Sequence, residues 1–255
     1  MEKFMKKFVF FVLALFMGIF CMFSSQNVWA LETVVIKEVY GNLVSPNSCE
    51  KVVLKGQKDK DSFYFSNVWI EIYDKNDKQL GVIAPKEKGG YEPDVIVENF
   101  TDNGTSQIFY AASSGGSGGF GYYYVYDFSA CVQTTLFDFA EFSKNNRLEG
   151  KYLDCFRAQV SNSDGGRYLI DLSDREKQYK NSIWQENGKL IKPIDVNISG
   201  VNAVFPYYSH YGEICNLKVY RRVTGLYNAD LLGYVLTDIS LLGGKSEITS
   251  EGLLI

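Results

Sequence analysis

A glycine-rich stretch in the middle of the sequence satisfies the pattern G-x-S-x-G, which surrounds the nucleophilic serine of many hydrolases. It spans residues 115–119, with Ser117 at its centre. Such a serine needs a turn from a strand into a helix, and a histidine base later in the chain. The residues that follow are tyrosines typical of a strand, and His210 is the only histidine. We therefore interpret residues 115–119 as the loop of a β-hairpin.

Pairs of acidic residues are a second candidate for chemistry, because glycoside hydrolysis uses two carboxyl groups on either side of a sugar. Glu141 lies close to Asp138 in the sequence, and Asp171 lies close to Asp174. Nothing in the sequence places either pair across a cleft. The chain is therefore predicted not to be an enzyme, and a secreted hydrolase with carboxylates in a central cleft is the alternative.

Tyrosines are the residues best suited to bind a ligand, since a flat ring buries a large area and keeps a polar tip in water. Tyr122, Tyr124 and Tyr126 alternate along one predicted strand and so share a face. Tyr208 and Tyr211 belong to a second cluster. We predict that these five tyrosines bind sugar or peptide. The alternative is that most of the rings fill the space between stacked sheets.

The first three tyrosines belong to a segment of four short predicted strands, residues 91–142, around which the chain is organised. Its β-branched, apolar and tyrosine-rich runs indicate strands at residues 94–97, 108–112, 121–128 and 132–139. Residues 201–248 repeat the order of strand, glycine-containing loop, strand, long connection and strand. We interpret the two segments as diverged copies of one four-stranded unit.

Other parts of the chain also favour antiparallel strands. Residues 68–73 and 80–83 flank a polar turn, and the sequence Asp-Gly-Gly at residues 164–166 is typical of a tight hairpin. Ser173 is expected to cap a short helix within residues 173–184. The fold is predicted to be all-β, with consecutive antiparallel sheets stacked as the blades of a β-propeller-like domain. A β-sandwich is the alternative.

Residues 1–30 have the three parts of a secretory signal peptide. Three lysines precede an apolar run at residues 8–23, and small residues precede Leu31. The mature chain, residues 31–255, is predicted to be a single domain that is secreted or associated with the cell envelope. Contact with a membrane is expected only through the signal peptide.

The remaining composition limits the partners. The formal net charge is −4 at pH 7 and no basic cluster lies outside residues 1–30, which argues against nucleic acid as a partner. Four cysteines remain after residue 30: Cys49, Cys131, Cys155 and Cys215. An exported protein can form disulfides, and four cysteines allow three pairings that the sequence leaves open.

Residues 94–112 resemble the FG-GAP or VCBS repeat of integrin-α-like propellers, in which a loop of the type D-x-[DN]-x-[DN]-G-x-x-D holds calcium. With Gly104 as the turn glycine, the resemblance implies these ligands: Asn99, Thr101, Asn103, the carbonyl of Thr105, and Gln107. All four side chains are neutral, and calcium affinity in such loops grows with the number of carboxylates. We predict no cofactor, with calcium at this degenerate loop as the alternative. The loop side chains are expected to bond their own backbone.

A wider resemblance, over about residues 65–242, is to exported VCBS-type proteins of low-GC Gram-positive bacteria. It depends on residues 90–93, 114–121, 136–138 and above all 226–234. Together with the signal peptide, it predicts a non-catalytic binding or structural protein at the cell envelope or outside the cell. The expected partner is a polysaccharide or a protein, and a role in a cell or spore coat is a variant of this function.

Overall fold

The computed structural model describes residues 31–209 and 212–255 of the 255-residue chain. The predicted signal peptide lies outside the described residues. None of the helices in the described residues has the length and apolar character needed to cross a membrane.

Short antiparallel strands make up most of the described chain. The strands are β1 (Glu32–Gly41), β2 (Glu50–Lys58), β3 (Tyr64–Phe65), β4 (Asn67–Tyr73), β5 (Gln79–Ile83), β6 (Gly90–Glu98), β7 (Gln107–Ser113), β8 (Gly121–Asp127), β9 (Thr134–Asp138), β10 (Leu148–Leu153), β11 (Arg157–Asn162), β12 (Arg167–Asp171), β13 (Asn197–Tyr208), β14 (Cys215–Thr224), β15 (Leu231–Ser240) and β16 (Glu247–Leu254). Two short α-helices accompany them, α1 (Phe139–Asn145) and α2 (Glu176–Tyr179).

The strands form four sheets, and every strand pair is antiparallel. Sheet 1 has the order β1-β2-β4-β5, and sheet 2 the order β3-β6-β7-β8-β9. Sheet 3 is β10-β11-β12 and sheet 4 is β13-β14-β15-β16. The prediction of an all-β fold built of antiparallel sheets is confirmed.

The sheets pack in layers, and sheet 2 is buried on both faces. Ile108 and Tyr110 on one face of β7 meet sheet 1, whereas Phe109 on the other face meets sheet 4. Strand β7 accordingly reads as an almost continuous apolar run, which is typical of a strand covered on both sides.

One face of sheet 4 packs against two other sheets, sheet 2 and sheet 3. Residues alternate along β14, so that Leu217 and Val223 point to the same side. Leu217 packs in the core shared with sheet 2, and Val223 packs in the core shared with sheet 3. Face-to-face layers of this kind fit the β-sandwich alternative. None of the sheets closes on itself, and a ring of propeller blades is not confirmed.

The predicted units correspond to runs of consecutive strands. Residues 91–142 contain β6 to β9 and residues 201–248 contain most of β13 to β16, each in simple sequential order. Their origin from one repeat stays a prediction. The hairpins β4–β5 and β11–β12 lie where the turn residues indicated.

Two local features differ from the sequence analysis. The strand predicted at residues 132–139 ends at Asp138, whose carboxylate accepts hydrogen bonds from the backbone N–H groups of Ala140 and Glu141 and so begins α1. Ser173 does not cap α2. Its hydroxyl instead donates to Asp171 Oδ1 at 2.6 Å, within a 3₁₀ turn that precedes the helix.

Gly104 has the left-handed backbone that the loop assignment required, with φ of 82°. A side chain there is strained, and its Cβ would also lie 3.1 Å from Pro46 Cγ. We expect Gly104→Val to lower the free energy of unfolding by more than about 1 kcal/mol. Urea unfolding measures this change. Gly252→Ala is the matched control, because open space surrounds Gly252 and its φ is negative; equal midpoints for the two variants would contradict the loop assignment.

Candidate functional site

The tyrosines on one face of β8 lie in the core between sheets 1 and 2. Tyr124 and Tyr126 are buried there, and Tyr122 is half-buried against the Phe139 ring at 5.7 Å between centroids. Burial raises the pKa of Tyr126 well above its usual range. The three residues share a face, as predicted, but sheet 1 covers that face. Tyr124 and Tyr126 are therefore inaccessible to a ligand, which contradicts their prediction as binding residues; their rings fill the space between sheets, as in the alternative.

The second tyrosine cluster is only partly described. Tyr208 is half-exposed at the end of β13, and its hydroxyl donates to the Glu98 carboxylate, which raises the pKa of the tyrosine. Tyr211 lies outside the described residues, as does His210. Tyr208 is thus the one predicted binding residue among those described that presents its ring mainly to solvent.

A groove of about 420 Å3 opens on the other face of sheet 2, where that sheet meets β13 of sheet 4. Its floor is apolar, and it consists of residues on adjacent strands of sheet 2: Ile96, Phe109, Ala111 and Tyr123. Phe109 also belongs to the core between the two sheets. The groove is therefore the place where that core reaches the surface.

Aromatic rings form the walls of this groove. Phe205 is 56% exposed and packs edge-on against Tyr220, with ring centroids 5.5 Å apart. Phe120, from the glycine-rich loop, also lines the groove and is 40% exposed. Two partly exposed phenylalanines in the lining of a groove offer apolar area to a ligand.

Tyr123 fixes the floor between the two sheets. Its hydroxyl donates to the carbonyl oxygen of Asn202 at 3.0 Å, and its ring stacks on Phe109 with centroids 6.4 Å apart. Alternation along β8 places Tyr123 on the opposite face from the three other tyrosines of this strand. That alternation was the available signal for this site, although the sequence did not show which face is open.

Carboxylates lie along one edge of the groove. Asp94 forms an ion pair with Lys37, with 2.7 Å between Oδ1 and Nζ. Glu92 is exposed and has a φ of 47°, at a register shift in the pairing of β6 with β7. Both carboxylates belong to the same strand, β6, and they are two residues apart.

A smaller polar pocket of about 130 Å3 adjoins the groove, and Phe120 lines both. Asn202 connects the pocket with the glycine-rich loop, because its Nδ2 donates to the carbonyl oxygen of Gly118 at 3.0 Å. The loop is also closed on itself by a bond from the Ser114 N–H to the carbonyl oxygen of Phe120 at 2.9 Å. The serine pattern at residues 115–119 thus forms a hairpin loop that builds one wall of the groove.

The degenerate calcium-type loop is held by its own hydrogen bonds. Asn99 Oδ1 accepts from the Asp102 N–H at 3.0 Å, and Asn103 Oδ1 accepts from both the N–H and the hydroxyl of Thr105. The expected bonds from side chains to the loop backbone are therefore present. Thr101 is buried, and its hydroxyl has no hydrogen-bond partner among the described residues.

Gln107 takes the central position in this loop. Its Oε1 accepts from the Phe100 N–H at 2.8 Å, and its Nε2 donates to the Thr105 carbonyl oxygen at 3.1 Å and to Asp127 Oδ1 at 3.1 Å. The Thr105 carbonyl oxygen, which the resemblance implies as a calcium ligand, thus accepts a hydrogen bond from the Gln107 side-chain amide. Across the described residues, no group of three or more His, Cys, Asp or Glu side chains could hold a metal ion.

The acidic pairs considered for hydrolysis have local structural contacts. Asp138 caps α1 and is ion-paired with Lys86, which also reaches Glu141 at 3.1 Å. Asp171 accepts from Ser173, and these hydrogen bonds lower the pKa of the Asp171 carboxyl. Neither pair lines the aromatic groove.

All four cysteines of the described residues are free thiols: Cys49, Cys131 and Cys155 are exposed, and Cys215 is buried. Burial raises the pKa of the Cys215 thiol to about 12, so this thiol stays protonated as a core residue.

The fold and the groove thus define an all-β protein with stacked antiparallel sheets and an aromatic cleft at a sheet boundary. Residues 146–254 match the family model described as YybI C-terminal domain. This segment contains sheets 3 and 4 complete. The chain is also similar to the uncharacterized protein YybI of Bacillus subtilis (strain 168), with 26% identity over 212 residues, which cover 83% of this chain and 81% of that protein.

Two solved structures are similar over most of the chain, the rhamnogalacturonan lyase PL11 of Bacillus licheniformis and the rhamnogalacturonan lyase YesW. Each is 12% identical, with a TM-score of 0.43 over 88% of this chain. The chain spans 35% of the length of each lyase. The resemblance to FG-GAP or VCBS repeats stays a prediction, since the matched family and relative carry a different description.

Proposed function

We propose that this protein is a non-catalytic binding protein at the cell envelope or outside the cell, and that its aromatic groove holds a polysaccharide chain. The observation that carries the proposal is the groove itself, which has an apolar floor and two partly exposed phenylalanines, Phe120 and Phe205, in its lining. The predicted signal peptide supports export.

The composition of the groove suits a sugar. The flat face of a pyranose ring is apolar and packs on aromatic side chains, while its hydroxyls need polar partners at the edge. Asp94 and Ser113 supply acceptors next to the rings, and Glu92 adds a further exposed carboxylate.

The alternative function, hydrolysis by carboxylates in a central cleft, finds less support. Glycosidases place two carboxyl groups on opposite sides of the scissile bond. Here Glu92 and Asp94 are two residues apart on one strand, and Asp94 is ion-paired with Lys37. This arrangement supports the proposal of binding over that of hydrolysis.

Co-sedimentation of residues 31–255 with isolated cell wall, intact cells and spores of a Gram-positive host tests this function. We expect retention by one fraction, with competition by a soluble fragment of it. Phe205→Ala should weaken this binding about tenfold, because an aromatic contact of this kind contributes roughly 1–1.5 kcal/mol.

The control is Phe63→Ala, which removes a phenylalanine that is 85% exposed and does not line the groove. We expect this variant to bind like the unmodified chain. Failure of every fraction to retain the protein, or equal behaviour of the two variants, would remove the support for the groove as a binding site.

A further inference from the structure

The side chains that line the polar pocket beside the groove include one positive charge, that of Arg222, and no carboxylate. Its lining side chains are amides, hydroxyls and one guanidinium: Asn197, Ser199, Asn202, Thr224, Asn228 and Arg222. A pocket without a carboxylate is notable in a chain whose formal net charge is −4. The local field here favours an anion, in contrast to the surface as a whole.

Arg222 has unused hydrogen-bonding capacity. Its Nη2 donates to the carbonyl oxygen of Asn228 at 2.9 Å, whereas its Nε is buried and has no partner within the described residues. No ion pair of Arg222 occurs there either. The neighbouring Arg221, by contrast, is ion-paired with Glu251 at 3.0 Å. The Nη1 of Arg222 forms no hydrogen bond within the described residues, so the guanidinium keeps a donor for a ligand in the pocket.

The backbone around Arg222 is held in place by its neighbours. The Arg222 N–H donates to Asn202 Oδ1 at 2.8 Å and to Ser199 Oγ at 3.0 Å. Asn202 also bonds Gly118, so sheet 4 and the glycine-rich loop are joined at the pocket. The site is therefore built before a ligand arrives, which limits the entropy lost on binding.

We infer that this pocket is an anion subsite of the groove, in which Arg222 binds the carboxylate or phosphate group of an acidic polysaccharide. The inference rests on the proposed function, because the sugar that carries the anion would lie in the aromatic groove. Phe120 separates the two spaces, so one glycan unit can contact the ring while its charged group reaches the guanidinium.

The size and chemistry of the pocket agree with this assignment. A volume of about 130 Å3 accommodates a carboxylate or phosphate group but leaves the sugar body to the larger groove. The planar guanidinium pairs with both groups through parallel N–H donors, and charge-assisted bonds of this kind are stronger than neutral ones.

Affinity electrophoresis of residues 31–255 distinguishes the contributions of charge and of sugar. The gels contain a soluble polyuronate, the same polymer after reduction of its carboxylates to alcohols, or a poly(glycerol phosphate). We expect the unmodified chain to bind at least one acidic polymer about tenfold more tightly than the reduced polymer. The polymer that is bound identifies the group as carboxylate or phosphate.

Arg222→Gln should abolish this preference. Arg222→Lys keeps the charge but lacks the fork of donors, so we expect it to retain a part of the preference. It also serves as the second variant if Arg222→Gln unfolds.

Equal affinity of the unmodified chain for acidic and reduced polymers, or binding to none of them, would overturn the inference, as would an unchanged preference in both Arg222 variants. The groove itself is judged separately by Phe205→Ala, which should weaken binding to acidic and reduced polymers alike. If the unmodified chain shows no preference for acidic polymers but its binding is still weakened by Phe205→Ala, the inference fails and the proposed function stands.

Discussion

Glu251→Ala is expected to lower the free energy of unfolding by about 3–5 kcal/mol, because it leaves the Arg221 guanidinium buried without a counter-charge. The two side chains are 3% and 8% exposed, and their Nη2 and Oε2 atoms lie 3.0 Å apart. Burial lowers the pKa of Arg221 although the Glu251 carboxylate acts to raise it. Arg221 lies on the covered face of sheet 4, between Val219 and Val223 of the two cores.

Glu251 also connects strands of two sheets. Its carboxylate accepts from Thr237 Oγ1 at 3.0 Å, Asn162 Nδ2 at 2.8 Å and the hydroxyl of Tyr168 at 3.3 Å. Removing it therefore leaves several polar groups unpaired as well as a charge.

Urea unfolding of the Glu251 variant, followed by circular dichroism, measures the loss. The matched control is Glu186→Ala, whose ion pair with Lys180 is solvent-exposed and should contribute little to stability. The double variant Arg221→Met with Glu251→Leu should recover much of the loss, since it removes both charges together. A Glu251→Ala midpoint like that of the control would show that the pair is solvated.

Asp230→Ala is the second replacement with a large expected effect, a loss of about 2–4 kcal/mol. The buried carboxylate accepts from the Tyr179 hydroxyl at 2.7 and 2.6 Å, from the Leu226 N–H at 3.0 Å and from Gln178 Nε2 at 3.2 Å. It thereby ties the turn before β15 to α2. Without it, the buried Tyr179 hydroxyl has no acceptor.

Thermal unfolding should show a melting temperature roughly 5–15 °C lower for Asp230→Ala. Asp230→Asn keeps one oxygen acceptor and the shape of the side chain, so its loss should be smaller. Asp61→Ala, which removes an exposed carboxylate, should change the melting temperature little. Identical curves for the two alanine variants would contradict the role given to Asp230.

The same contacts explain part of the sequence pattern. Asp230 lies within residues 226–234, the stretch that contributed most to the wider resemblance. In the structure this carboxylate organises a turn and a helix contact.

Sequence periodicity predicted the strands well because each strand has a covered face, and alternation records that face directly. It also placed the tyrosines of β8 correctly on two opposite sides. It did not show which side was open, since sheet 1, formed largely by residues 32–83, covers one of them. The short helix α1 was missed because its signal is a single cap, Asp138, directly after a strand.

Local sequence patterns did not predict the groove, because its lining residues come together only through the packing of sheets. Ile96 on β6 and Phe205 on β13 are more than a hundred residues apart, and only the packing of sheet 2 on sheet 4 brings them together. Likewise, alternation along β14 separates Arg221, on the covered face, from Arg222 on the other face, but no local pattern shows the ion pair with Glu251 or the pocket at Arg222.

The single buried face of sheet 4 has a consequence for the segment 146–254. That segment contains sheet 3, which covers Val223 and Val235, but it lacks sheet 2, which covers Val201, Leu217 and Ile239. Taken alone, it would expose a contiguous apolar patch, which drives self-association in water. Any protein in which such a segment occurs must therefore supply a second layer of its own or recruit one from a neighbouring molecule.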